Sequence, residues 1–238
     1  IEVDAAQPQS ALRDLRGVNK PPRFGSRTPG VNYDATALYK AFGITQARLH
    51  DGGADLCSVY KAATKLNMST SPATTVTGCT LTGSGGIPQF RWTPTSSADA
   101  DLNNPDNYDF ATLDESITTT LAAGGRVYLV LDQSYNGPND TGDPVAWAKV
   151  ATNIYRHVIG VFKPTAGIAV DPVYVEVMNE PDGGFWRGDL ATFNTLYIET
   201  TQRVRAAAAA AGRTVKVGGA GFTRDVLNKA TTAGNPAN

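Results

Sequence analysis

The sequence predicts an α/β fold, a parallel sheet whose strands are joined by helices. Segments of strand and helix periodicity alternate from the beginning of the chain almost to its end, which is the pattern of βα units. Clear start and stop signals separate them, with acidic caps or proline where helices begin and glycine where they end. The chain has 238 residues, 41% hydrophobic and 18% charged, enough to bury a core as a single domain over residues 1–238.

The elements follow in order. A short strand is expected at residues 15–19, then a Pro/Gly-rich loop and a helix opened by Asp34, with Leu38 and Phe42 one turn apart and Gly43 as its stop. A second strand is expected at residues 45–50. Residues 52–107 read as a long irregular insertion rich in Ser, Thr, Gly and Pro, and loops of that length usually carry function. A helix with Leu113, Ile117 and Leu121 then ends at Gly124-Gly125 and gives way to a third strand at residues 126–131. In the next helix Asp143 is the N-cap and Pro144 the first helical residue, and Trp147, Val150, Ile154, Val158 and Val161 form one apolar stripe. A fourth strand is expected at residues 172–180. Asp189 caps the following helix, which presents Leu190, Phe193, Tyr197 and Val204, ends in the alanine run of residues 206–211 and stops at Gly212. A fifth strand at residues 214–219 and a short helix from about Arg224 finish the chain. About five βα units result, where a closed (β/α) barrel of the TIM type has eight. The chain reads as the first part of such a barrel, incomplete at its C-terminus.

Composition narrows the function. Twenty-one Lys+Arg against 22 Asp+Glu leave a formal net charge of -1, which gives no electrostatic footprint for nucleic acid or an anionic membrane. No stretch approaches the roughly 18 consecutive apolar residues of a membrane span. Two His and two Cys cannot build a multi-histidine or four-cysteine metal centre, so metal chemistry would have to rest on carboxylates alone and no metal is expected. No cofactor is implied either. The chain opens at Ile1 with no basic segment followed by an apolar one, as expected if a secretory signal has been removed. Cys57 and Cys79 flank a Ser/Thr-rich stretch that gains from a covalent staple in an oxidising compartment, so a disulfide and a secreted or periplasmic location are expected. Two unrelated thiols are the alternative. Asp101, Asn103 and Asp106 suggest a calcium loop, but the Asn104-Pro105-Asp106 turn explains them as well.

The fourth strand carries the chemistry. Alternate strand residues share a face, so Glu176, Met178 and Glu180 should point into the barrel while Val175 and Val177 pack outward. Glu180 then stands at the carboxyl end, where barrel active sites are built, and a partly shielded carboxyl there suits a general acid. Pro181 supports an end to the strand, since it cannot donate to the ladder. The second strand has matching parity. Arg48 should lie inside as an ion-pair partner for Glu176, with His50 rising to the mouth. Asp132 and Gln133, at the carboxyl end of the third strand, are further candidates for substrate contact.

At these residues the sequence resembles a known family. Asn179-Glu180-Pro181 closing a strand is similar to the acid/base signature of retaining glycosidases with eight-stranded barrels. Six segments in order resemble glycoside hydrolase family 39, the β-xylosidases and α-L-iduronidases. They are Gly17-Val18-Asn19, Arg48-Leu49-His50-Asp51, Asn107-Tyr108-Asp109-Phe110, Val175-Glu176-Val177-Met178-Asn179-Glu180-Pro181-Asp182, Phe185-Trp186-Arg187-Gly188 and Lys216-Val217-Gly218-Gly219. The resemblance implies hydrolysis of a plant or microbial glycan with a β-xyloside-like linkage. It makes Glu180 the general acid/base and Asn179 the ligand of the hydroxyl beside the reacting carbon. His50, Asp51 and Trp186 would shape the sugar site, the indole as an apolar platform or as packing for its own loop.

Two departures accompany it. Met178 stands where the family commonly has tryptophan, and Asp132-Gln133 have no clear match. Retention also needs a second carboxyl about 5 to 5.5 Å from the first, which the family places on the seventh strand. After Glu180 the acids are Asp182, Asp189, Glu199 and Asp225, none following a plausible seventh strand. The nucleophile is therefore expected on a C-terminal continuation or a second chain that completes the barrel. A carbohydrate-binding protein without turnover and an inverting hydrolase using Asp132 are the alternatives.

Overall fold

In the structure, a computed structural model, the described residues are 16–23, 34–50, 55–67, 71–76, 90–132, 140–164, 167–183, 185–186 and 188–222. The first half contains β1 (Gly17–Val18), α1 (Thr36–Ala41), β2 (Gln46–Arg48), α2 (Leu56–Val59), β3 (Ala63–Asn67), β4 (Thr74–Val76), β5 (Phe90–Pro94) and α3 (Asp99–Leu102). The second contains α4 (Ala111–Ala122), β6 (Arg126–Leu131), β7 (Asp140–Thr141), α5 (Pro144–Val158), β8 (Val173–Val177), α6 (Leu190–Ala210) and β9 (Val215–Gly218). Among the described residues no helix is long and apolar enough to cross a membrane.

The main sheet has five strands in the order β1-β2-β6-β8-β9, every pair parallel and in chain order. These are the five strands expected, and among the described residues the sheet is open. One face carries Ala47, Val127, Leu129, Val175 and Val177, all buried in a single apolar cluster with Trp147, Val150, Ile154 and Val158 of α5 and Leu196 and Val204 of α6. Burial of each such large side chain contributes roughly 1.5–3 kcal/mol, so α5 is held by its stripe rather than by propensity. The other face is polar and aromatic. Arg48, Tyr128, Tyr174 and Lys216 stand level across four neighbouring strands. The two tyrosine rings stack 6.2 Å apart, and the Lys216 ammonium lies 5.7 Å from the centre of the Tyr174 ring.

Local chemistry explains the helix ends. Asp143 accepts from the Ala146 N–H at 2.8 Å and opens α5. Gly124 and Gly212 take positive φ, 84° and 65°, where α4 and α6 stop. His157 near the end of α5 is a clasp: Nδ1 donates to the Phe162 carbonyl at 3.0 Å, Nε2 lies 2.6 Å from the Asp114 carboxylate, and the ring stacks on Phe110. The stretch at residues 104–107 is a turn, with Asn104 Oδ1 accepting from the Asp106 N–H at 3.0 Å.

Several expectations need correction. The first helix is capped at Ala35, because the Asp34 carboxylate reaches only the Thr36 N–H, at 2.9 Å. Its Leu38 and Phe42 are exposed, 58% and 73%, since α1 stands beside the edge strand β1. Val161 falls outside α5, which ends as Gly160 turns to φ 81°, and is exposed. In α6 Leu190 is exposed, and the buried line runs through Phe193, Leu196, Thr200, Val204 and Ala208. The fourth strand stops at Val177 and not at residue 180.

The described residues of the insertion at 52–107 include three strands. β3 pairs antiparallel with β4 and β5, and β5 pairs parallel with β7, giving a second sheet of order β4-β3-β5-β7. Its strands rely on threonine, as in Thr74-Thr75-Val76, so no alternation of large apolar residues announced them. Trp92 of β5 packs against Tyr60, and Tyr60 against Tyr108, at 6.0 and 5.0 Å between ring centres. This sheet is entered from the carboxyl end of β2 and left through β7, which follows the carboxyl end of β6. It therefore flanks the carboxyl side of the main sheet. The expected segment before residue 16 and the helix from Arg224 lie outside the described residues.

Candidate active site at the carboxyl ends of the parallel strands

Arg48 organises the polar face. Its Nε donates to Glu176 Oε2 at 3.0 Å and its Nη2 to Glu176 Oε1 at 2.5 Å, a bidentate pair that reaches from β2 across β6 to β8. The predicted interior ion pair is present, and Glu176 is buried. Burial works against the charge of Arg48, but the hydrogen bonds and charge of Glu176 outweigh it and hold the guanidinium above its ordinary pKa. Burial first, and then the Glu176 charge, push the Tyr128 phenol up. From the same guanidinium Nη2 also donates to Asn179 Oδ1 at 2.8 Å and Nη1 to Asn19 Oδ1 at 2.7 Å. Three side chains, from the ends of β1 and β8, converge on the one cation of β2.

Beyond Val177 the backbone departs from a strand. Met178 and Glu180 take φ values of 69° and 44°, left-handed conformations that cost a non-glycine residue roughly 1–3 kcal/mol. Three backbone bonds impose them: Met178 N–H to the Leu131 carbonyl (2.9 Å), Gly221 N–H to the Met178 carbonyl (3.1 Å) and Glu180 N–H to the Gly221 carbonyl (2.9 Å). The alternation of faces expected over 176, 178 and 180 therefore fails. Met178 is fully buried in the apolar cluster, and Asn179 takes the place beside Arg48. Glu180 is half-buried at the carboxyl end of β8. Gly221 is required by close packing, because a Cβ there would lie 2.6 Å from Glu176 Oε1.

The other candidates are placed as follows. His50 Nε2 lies 3.9 Å from Asp132 Oδ2, both half-buried at the carboxyl ends of neighbouring strands β2 and β6. The Asp132 carbonyl accepts from the Leu56 N–H at 3.0 Å, which ties the start of α2 to this end of the sheet. Trp186 donates from Nε1 to the Asp189 carbonyl at 3.2 Å and meets Phe193 edge to face at 5.6 Å, so its ring is at least partly committed to packing its own loop. Asp51 and Gln133 lie outside the described residues. Cys57 is buried in α2, and Cys79 lies outside the described residues, which leaves the pairing an expectation. Among the described residues no group of three or more His, Cys, Asp or Glu is arranged to hold a metal ion.

Sequence reasoning missed an ion pair at this end of the molecule. Arg91 of β5 grips Asp140 Oδ2 through Nε (2.9 Å) and Nη2 (2.8 Å). Asp140 is buried, and its other oxygen stands where a Cβ on Gly188 would come within 2.6 Å. The pair thus joins β5 to β7 within the second sheet, and the loop after β8 packs closely against it at Gly188. Arg91 sits inside the stretch that showed no strand pattern, so only the Gly188 of the Trp186 loop gave any signal.

Comparison with known proteins yields solved structures alone. No family model and no curated protein matches the chain. A crystal structure of a glucosidase from Croceicoccus marinus superposes with a TM-score of 0.58 at 20% identity, covering 87% of this chain and 36% of that one. A structure of the GH39 enzyme from Xanthomonas axonopodis pv. citri gives a TM-score of 0.47 at 19% identity, covering 83% of this chain and 35% of that one. The likeness to the glucosidase is one of fold, and the chain spans about a third of the length of the structures it matches.

Proposed function

We propose that the chain supplies the first five βα units of a TIM-type barrel and the acid/base half of the active site of a retaining glycoside hydrolase. The observation that carries the reading is the Arg48 constellation at the carboxyl ends of parallel strands. It fixes the Asn179 amide beside Glu180 on a backbone strained at two positions, and such strain clusters at active sites. The shared fold with a glucosidase supports the same class. Glu180 protonates the glycosidic oxygen and later deprotonates water, while Asn179 holds the hydroxyl next to the reacting carbon as positive charge develops. His50, Asp51, Asp132, Gln133 and Trp186 frame the sugar, and the glycan carries a β-xyloside or related linkage.

The second carboxylate comes from a C-terminal continuation or a second chain. Both edges of the main sheet are open among the described residues, which supports this. At β1, helix α1 exposes Leu38 and Phe42, and on the β9 side Leu190, Ile198 and Phe222 are exposed. Further βα units on both edges bury these side chains and pair both edge strands. Secretion and a Cys57–Cys79 disulfide belong to the same reading.

The test is hydrolysis of 4-nitrophenyl β-D-xylopyranoside and β-D-glucopyranoside by the full-length protein, with the first-formed product anomer followed by NMR. Turnover with retained configuration is expected. Binding without turnover leaves a carbohydrate-binding protein, and an inverted anomer moves the second role to a base such as Asp132.

A further inference from the structure

Asn19 stands one residue beyond β1. The register that pairs Val18 with Ala47 brings it level with Arg48, on the same face of the sheet. A guanidinium has five N–H donors and no acceptor. Of these, Arg48 gives two to Glu176, one to Asn179 Oδ1 and one to Asn19 Oδ1. Both amide oxygens are therefore committed to the cation, so the orientation of each amide follows from donor chemistry. Each NH2 group is turned away from Arg48, and neither donates to another group among the described residues.

The charge balance bears on the purpose of this arrangement. Glu176 already neutralises Arg48, so a neutral amide at position 19 adds little to holding the cation. What it adds is a second, oriented pair of donors at the carboxyl ends of the strands. Asn19 and Asn179 sit on neighbouring nitrogens of one planar group, a separation on the scale of a single sugar ring. With the cation paired, the donors they present suit neutral hydroxyl oxygens.

Resting on the reading of the site as a glycosidase centre, we propose that Asn19 is a second sugar-binding residue. Its Nδ2 donates to a hydroxyl of the same ring that Asn179 holds, and Arg48 is the positioning residue for both amides. The ligand class is a neutral glycoside bearing hydroxyls that accept from both.

The test uses the full-length protein and whichever of the two aryl glycosides above it hydrolyses faster. Asn19→Asp keeps an oxygen for Arg48 and replaces the NH2 donors by a second, charged oxygen that cannot donate. The expected result is a melting temperature close to that of the parent with kcat/KM lowered about tenfold. Monodeoxy versions of the same glycoside give the second readout. One of them should lose about tenfold with the parent protein and nothing further with Asn19→Asp, because the hydroxyl and its donor are removed together. Should Asn19→Asp fold poorly, Asn19→Ser read against the same deoxy series gives the coupling independently of stability. A folded Asn19→Asp protein within twofold of the parent on every substrate overturns this inference and leaves the glycosidase reading standing. A parent protein that neither turns over nor binds the aryl glycosides overturns both.

Discussion

Replacing Glu176 by Gln tests the pair that holds the site together. The Glu176 side chain is 6% exposed and that of Arg48 22%. The carboxylate accepts both Nε and Nη2 of Arg48, at 3.0 and 2.5 Å. Glutamine retains one acceptor oxygen and turns an NH2 group toward the other donor. One charge-assisted bond is lost, and a largely buried guanidinium keeps its charge without a counter-ion. Breaking a buried pair from one side costs about 3–5 kcal/mol. The bonds from Arg48 to Asn19 and Asn179 survive, and its remaining contact with water screens it, which places the expected cost near the lower end, about 3 kcal/mol. For a domain of this length each kcal/mol moves the melting temperature by about 2–4 °C. Thermal melting followed by circular dichroism should therefore show Glu176→Gln about 6–12 °C below the parent. The double variant Arg48→Met with Glu176→Leu should recover only part of that loss, since apolar replacement of both partners is often neutral but here leaves the buried Asn179 oxygen without its donor. A single variant melting within about 1 °C of the parent refutes the argument that this pair is a buried, mutually dependent unit.

Three further outcomes follow from the same geometry. Gly221→Ala puts a Cβ within 2.6 Å of Glu176 Oε1, an oxygen held by Arg48 that cannot swing away cheaply; urea denaturation should show a loss of about 1–3 kcal/mol, and kcat/KM should fall because the Gly221 carbonyl fixes Glu180. Asp143→Ala removes the cap on α5 and should cost about 1 kcal/mol in the same measurement. Burial raises the phenol pKa of Tyr108, and that of Tyr155 to about 12, above the ordinary value of 10.0. A folded-state pKa above the unfolded one gives stability that is fully present below the unfolded value and lost as pH rises through the folded one. Stability should hold to about pH 10 and then decline, with tyrosinate absorbance from these two rings appearing only as the chain unfolds.

The parts legible in the sequence were those governed by local periodicity and capping. β6 runs from Arg126 to Leu131 as expected, and α5 begins at Asp143-Pro144 with its stripe buried from Trp147 to Val158. Strand parity was enough to pair Arg48 with Glu176, because both lie within regular strands. It failed two residues later, where Met178 and Glu180 turn left-handed under bonds from Leu131 and Gly221, elements 47 and 43 residues from Met178 in the chain. The second sheet was hidden because its strands are held by partners rather than by their own pattern. The exposed Leu38 and Phe42 show the converse: a good amphipathic pattern marks a face that needs a partner without naming it.

The proposed role of Glu180 as proton donor and acceptor is tested most sharply by the leaving-group dependence of Glu180→Ala in the full-length protein. Aryl glycosides whose phenols span a wide range of acidity would be compared under identical conditions. A general acid contributes most where the departing oxygen is basic, typically 10²–10⁴-fold. With Glu180 as the acid, kcat/KM should fall by about that factor for a weakly acidic phenol and far less for a strongly acidic one, which departs without protonation. An equal loss across the series, or none, would contradict this role and remove Glu180 from the reaction.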